Sequence, residues 1–376
     1  MKPSPIKSEL KHPLVGRLQE GLLCRIPAMS LALVFVLSAC GGGDAAPGVT
    51  ESSIQQKPGD LLCGQTKAVC YSGFRLGQHP DRGDGAVNPS DAEVLEDLRI
   101  LNRDGNFRLI RLYDARSNSE DVLRLIKEHK LDMKVLLGVW LDAEVSNPNC
   151  PWHPQPIPKD VLEANKIKNA EEIDRAIRLA GDFPTIVAAV AVGNEALVSW
   201  TDHMVPVESV IAYVQKVKKA VAQPVTVADN HDWWAKEGAP VAKEVDFVSV
   251  HIYPIWEGRD IEEAIAFGIS NMEAVRKAIP DSQLVITEAG WATVASEFGP
   301  RASEKKQKRY YKELFDWAGK MNITTFFFEA FDESWKGDAD NPLGAEKHWG
   351  LFNEDRKPKL VMQDLHADLV REQPDE

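Results

Sequence analysis

Short runs of small and β-branched apolar residues recur along this chain at intervals wide enough to hold a helix, and that alternation constrains the fold more than any other feature. The runs are KAVCYSGF (67–74), FRLIRLY (107–113), KVLLGVW (134–140), IVAAVAVGNE (186–195), PVTVAD (224–229), DFVSVHIY (246–253), QLVITEAG (283–290) and TTFFFEAF (324–331). Segments between them, such as ESVIAYVQKVKKAV and KKQKRYYKELFDWAG, carry apolar residues at helical spacing. Ser90-x-x-Glu93, Ser117-x-x-Glu120 and Asn169-x-x-Glu172 each offer a capping oxygen followed by a carboxylate, the signature of a helix start. Strand followed by helix, repeated, implies parallel strands buried on both faces. Eight such units predict a single (β/α)8 barrel. The competing arrangement is an open doubly wound sheet, and no Gly-x-Gly-x-x-Gly follows the first strand to support it.

The N-terminal residues read as a targeting segment. Lys2, Lys7, Lys11, Arg17 and Arg25 precede the apolar run IPAMSLALVFVL, which is short for a bilayer span. LSAC, Leu37 to Cys40, follows and resembles a bacterial lipobox, in which Cys40 becomes the lipidated first residue; an ordinary signal peptide cut near Ala39 is the alternative. The predicted organisation is a signal peptide over 1–39, a Gly- and Pro-rich tether over 40–62 and a catalytic domain over 63–376. The mature protein is then an exported lipoprotein, membrane-attached through lipid on Cys40, facing the periplasm or the cell surface. Of the cysteines beyond Cys40, a Cys63–Cys70 disulfide and a buried free thiol at Cys70 are both open. The formal charge of −13 repels phosphate backbones, so nucleic acid is not an expected partner, whereas a neutral substrate is compatible.

Two strands end on an acid. Glu195 follows AAVAVGN and Glu288 sits in VITEAGW, and in a barrel of this kind the carboxyl ends of the strands form the active face. Two glutamates at that face, with tryptophans nearby, suit glycoside chemistry, where one carboxyl protonates the leaving oxygen and the other, ionised, faces the developing positive charge. Asn194 would orient a sugar hydroxyl beside them.

VGNEALV, VITEAGWAT, HIYPIWE, FFFEAFDESWKG and HWGLF, in that order, resemble glycoside hydrolase family 17 in its bacterial branch, over about residues 67–365. The resemblance implies a (β/α)8 barrel, retention of configuration and β-1,3-glucan as substrate; no cofactor is expected. Carried onto this chain, it makes Glu195 the acid/base and Glu288 the nucleophile, and matches Glu333 and Lys336 to an acid and lysine pair beside the cleft. The segment Ala289-Gly290-Trp291-Ala292-Thr293 departs from the Thr/Ser-Gly-Trp-Pro-Ser of plant members but leaves the nucleophile intact.

Among the aromatics at strand ends (Tyr71, Tyr113, Tyr253, Trp256, Trp291 and Trp335), Tyr253, Trp291 and Trp335 are expected to line the cleft and stack on sugar. Arg111 and Asp229 are expected as hydrogen-bonding partners of the site or as a structural ion pair. His231, His251 and His348 fit no metal-ligand spacing, and no metal is expected. The Pro-rich stretch 141–160 reads as a substrate wall. Three functions share these residues: a β-1,3-glucan hydrolase, a β-1,3-glucan transglycosylase, and a glycan-binding lipoprotein that has lost catalysis; the presence of both glutamates weighs against the last.

Overall fold

A computed structural model describes residues 53–81 and 85–365; the predicted signal peptide, Cys40 and most of the tether lie outside the described residues. Eight parallel strands close into a barrel in chain order. They are β1 (Lys67–Cys70), β2 (Leu109–Arg111), β3 (Lys134–Val139), β4 (Val187–Asn194), β5 (Val225–Asn230), β6 (Val248–Ile252), β7 (Leu284–Gly290) and β8 (Thr325–Phe328), with β8 pairing back onto β1. Around them run α1 (Asp91–Arg99), α2 (Ser117–Glu128), α3 (Lys159–Asp182), α4 (Val207–Ala220), the short α5 (His231–Lys236) and α6 (Ala239–Ala242), then α7 (Ile261–Ala278), α8 (Glu304–Met321) and α9 (Leu360–Leu365). All eight predicted runs are strands. Their residues are buried almost without exception because the inner face fills the barrel and the outer face meets the helices.

Two expectations about the ends of elements are corrected. Ser90 and Glu93 do cap α1 reciprocally, but α2 already begins at Ser117, and Asn169 and Glu172 lie in the middle of α3. Both face inward from that helix. Asn169 Nδ2 donates to the Asp142 carbonyl and to Glu144, and Glu172 accepts the Ala115 amide at 2.6 Å, so a capping pattern is used to tie α3 to the loops of the active face. The tether is also shorter than predicted. Ile54 is fully buried, and Gln56 accepts the amide of Leu284 at 2.6 Å and donates to its carbonyl at 2.9 Å, stitching residues 54–62 across the barrel floor. Cys63, before β1 and exposed, and Cys70, at its far end and buried, are free thiols rather than a disulfide; Cys70 Sγ donates to the Thr287 carbonyl at 3.3 Å.

Candidate active site

Strand β4 delivers Glu195 by breaking its own regularity. Gly193 has φ 86°, a conformation open to glycine, and Glu195 itself has φ 46°, a left-handed backbone that costs a non-glycine residue energy and turns its side chain over the barrel mouth. Neighbouring bonds hold the turn. The Glu195 amide donates to the Ala228 carbonyl at 2.9 Å, and two residues on the Leu197 amide donates to Asp229 Oδ2 at 3.1 Å. Asp229 is wholly buried at the end of β5. Burial, with the charge of Glu195 adding, pushes its carboxyl well up, against the amides of Asn230 and Leu197. The Asn194 carbonyl accepts from His203 Nε2 at 2.8 Å.

Glu288, within β7, has a side chain only 7% exposed and is surrounded by donors. Arg111 Nη1 lies 2.5 Å from Oε1, the Tyr113 hydroxyl donates to Oε1 at 3.1 Å, and the Tyr253 hydroxyl donates to Oε2 at 2.6 Å. Arg111 also donates to the Asn194 side-chain oxygen, so one guanidinium joins β4 to β7. Burial by itself would push the Glu288 carboxyl up. The His251 ring, the Arg111 guanidinium and the Tyr253 hydrogen bond outweigh it and hold the carboxyl below the ordinary carboxylate range.

His251 joins the two acids. Its Nδ1 lies 3.0 Å from Glu195 Oε1 and 3.6 Å from Glu288 Oε2. Those oxygens are therefore no farther apart than the two distances summed. That upper bound lies near the shortest separation, roughly 6.5 Å, at which an inverting pair seats a water, and it admits the roughly 5–5.5 Å of a double-displacement pair. His231 and His348 lie elsewhere: His231 Nε2 meets Glu257 at 2.7 Å, and His348 Nε2 meets the Pro342 carbonyl at 2.9 Å. Among the described residues no group of three or more His, Cys, Asp or Glu side chains is placed to hold a metal ion.

The segment after β8 builds the adjoining wall. Lys336 bridges Glu329 and Glu333, and Glu333 also takes the Ser72 hydroxyl at 2.5 Å and the Phe74 amide at 3.1 Å. Trp335 is half-buried, edge-on to Phe74 at 5.8 Å. Two acids that sequence reasoning missed belong to this wall. Glu329 ends β8 as Glu195 ends β4, a signal available in FFFEAF, and burial pushes it well up in spite of Lys336. Glu346 has no comparable sequence signal; burial carries it to about 7, with Lys336 opposing and Glu288, Glu195 and Glu297 adding.

The aromatic expectation is corrected at one residue. Trp291 is 0% exposed, packed on Tyr310, with Nε1 donating to the Arg301 carbonyl at 3.0 Å, so it offers no face to a sugar. The residue after β7 has turned behind the barrel wall into the helix layer. Trp256 is the exposed one, at 45%. It stands edge-on to Phe298 at 4.5 Å and connects through Trp349 (6.4 Å) to Tyr253 (5.3 Å), an aromatic wall running outward from Glu288. Its loop is pinned by the His231–Glu257 pair and by Arg301 donating to the Ile255 carbonyl at 2.8 Å.

A barrel that converges two glutamates on one histidine at the carboxyl ends of its strands, one clamped by a guanidinium and two hydroxyls and one reaching outward, has the form of a glycosidase site. Residues 68–350 match the BtgE/BtgC glycoside hydrolase domain, and the chain belongs to that family. It is 28% identical to a glucan 1,3-beta-glucosidase of Arthroderma benhamiae over 77% of this chain and 89% of the relative. A putative glucan endo-1,3-beta-glucosidase of Aspergillus niger is 27% identical over 75% of this chain, which spans only 42% of that longer protein. The crystal structure of an endo-laminarinase from Formosa superposes with a TM-score of 0.70 at 29% identity, covering 86% of this chain and 91% of the other.

Proposed function

We propose that this chain is a retaining β-1,3-glucanase of the family 17 type, in its bacterial branch, working by double displacement. The observation that carries the reading is the unequal treatment of two glutamates joined by His251. Glu288, ionised and aimed by Arg111, Tyr113 and Tyr253, attacks the anomeric carbon; the glycosidic bond breaks as Glu195 protonates the leaving oxygen. Glu195 then removes a proton from the incoming water, which displaces Glu288 and restores it. Asn194, held by Arg111, stands beside the reacting sugar, and Tyr253, Trp256 and Trp335 supply rings for the apolar faces of glucose units. Glu333 and Lys336 hold the β8 wall in place. The activities named for the fungal glucosidases and the endo-laminarinase support β-1,3-glucan as the substrate class.

The test is a time course by NMR on defined β-1,3-oligosaccharides. Early products in the β configuration are expected, and early α product would overturn double displacement. Products longer than the substrate would assign the same residues to transfer rather than hydrolysis.

The leader and LSAC motif support export as a lipoprotein anchored at Cys40 by several acyl chains. Cys40→Ser is expected to release the protein from the membrane fraction; unchanged attachment would overturn the anchor.

A further inference from the structure

The peptide that joins Asn194 to Glu195 is gripped at both of its polar atoms. Its N–H donates to the Ala228 carbonyl on β5 at 2.9 Å, and its carbonyl accepts from His203 Nε2 at 2.8 Å. A carbonyl oxygen can only accept, so Nε2 carries a proton. The other ring nitrogen, Nδ1, lies 2.7 Å from Asp202 Oδ1 and 3.1 Å from the Thr201 hydroxyl. The ring also packs against Trp140, just past β3, with centroids 4.5 Å apart. Asp202 Oδ2 in turn accepts from Trp152 Nε1 at 3.2 Å. A line of contacts therefore runs from the Pro-rich loop after β3, through Asp202 and His203, to the backbone beneath Glu195.

We propose that His203 is a positioning residue for Glu195, with Asp202 and Trp152 holding its ring in place. The inference rests on Glu195 being the acid/base of a double-displacement glycosidase. Glu195 has φ 46°, and a left-handed backbone persists at a non-glycine residue only where its surroundings over-determine it. Turning the 194–195 peptide plane changes φ of Glu195, and with it the place of the carboxyl over the cleft. The Ala228 bond fixes one edge of that plane and leaves it able to rock. The His203 bond fixes the opposite edge. This matters for chemistry because a general acid must come within about 2.6–3.2 Å of the oxygen it protonates. A misplacement of about 1 Å can cost about 100-fold in rate.

The test compares two substrates in one preparation of each variant. One is a laminari-oligosaccharide, whose leaving sugar needs a proton; the other is a dinitrophenyl β-laminaribioside, whose leaving group does not. Both rates scale with the folded fraction, so their ratio is independent of any loss of fold. His203→Leu should lower kcat/KM on the oligosaccharide about thirtyfold, through kcat, and leave kcat/KM on the aryl substrate within about twofold. On the aryl substrate kcat and KM should fall together, because Glu195 is also the base of the second step. Azide, which needs no base, should restore that kcat. His203→Gln, which keeps an N–H near the position of Nε2, should recover most of the loss, and Asp202→Asn should show the same pattern more weakly. Unchanged rates or equal losses on both substrates in His203→Leu, or no recovery in His203→Gln, would overturn the inference. Glu195→Ala measured alongside separates the two readings. Equal losses there defeat the acid/base assignment itself, whereas a selective loss there with none in His203→Leu strikes only the role of His203.

Discussion

Glu195 and Glu288 are the same residue type, each at the mouth of the same barrel, and the chain treats them in opposite ways. Glu288 has its side chain sealed from solvent and receives a guanidinium and two phenolic hydroxyls. Glu195 keeps a quarter of its side chain exposed, sits on a left-handed backbone and touches His251. The first environment holds an anion still and keeps it ionised although it is buried. The second leaves a carboxyl able to reach a bond and exchange a proton with what lies in the cleft. The lesson is that role follows from the donors around an acid rather than from the acid itself.

That contrast is broken most severely at Glu288. Under the proposed double displacement, Glu288→Ala should cost about 10⁴–10⁶-fold in kcat on every glycoside, because no group would remain to form the covalent intermediate. Glu195→Ala should cost about 10²–10⁴-fold on glucan and much less on a substrate whose leaving group needs no proton, so comparing glucan with an activated aryl glucoside separates the two. Equal losses on both substrates would contradict the assignment. A milder change makes the two environments more alike. Tyr253→Phe removes one donor from Glu288, whose carboxyl is held below the ordinary range, so the carboxyl must rise. Since the ionised form is needed, the acidic limb of the kcat/KM profile should move to higher pH, with a loss of about tenfold at its optimum. An unmoved limb would remove Tyr253 from the clamp.

Both acids were legible in the sequence because a strand that avoids polarity and then ends on glutamate is a local pattern, and so were the eight strands. What surrounds each acid was legible only in part: Arg111 and Asp229 were expected as hydrogen-bonding partners and Tyr253 as a cleft residue, whereas the contacts of Tyr113 and His251 with the acids were not. His251 and Tyr253 reach Glu288 because β6 pairs directly with β7, whereas Arg111 and Tyr113, at and just past the end of β2, reach it only because the barrel closes. Trp291 shows the same limit from the other direction. Strand-end position places a tryptophan near the mouth but leaves undetermined the side of the wall to which the chain turns, and here it turns into the helix layer. Asn169 and Glu172 matched a cap and became the inward face of a long helix, because tertiary bonds to the loop at 142–144 and to Ala115 outweighed a local motif.

The smallest effect sharpens the aromatic part of the contrast. Trp256→Ala should raise KM on long glucans about fivefold, a loss of about 1 kcal/mol of stacking, with stability unchanged. Trp291→Ala should leave KM alone and cost about 3–5 kcal/mol in unfolding free energy, as emptying a buried aromatic site does. Thermal denaturation alongside kinetics on both variants checks the pair.

The division of labour between the two glutamates is tested most directly by azide rescue on an activated aryl β-glucoside, with the anomeric configuration of the product read by NMR. In Glu288→Ala, azide fills the vacated space and attacks the sugar itself, and the α-glycosyl azide is predicted. In Glu195→Ala, azide intercepts the intermediate formed on Glu288, and the β-glycosyl azide is predicted. The opposite pairing of variant and configuration would contradict the account.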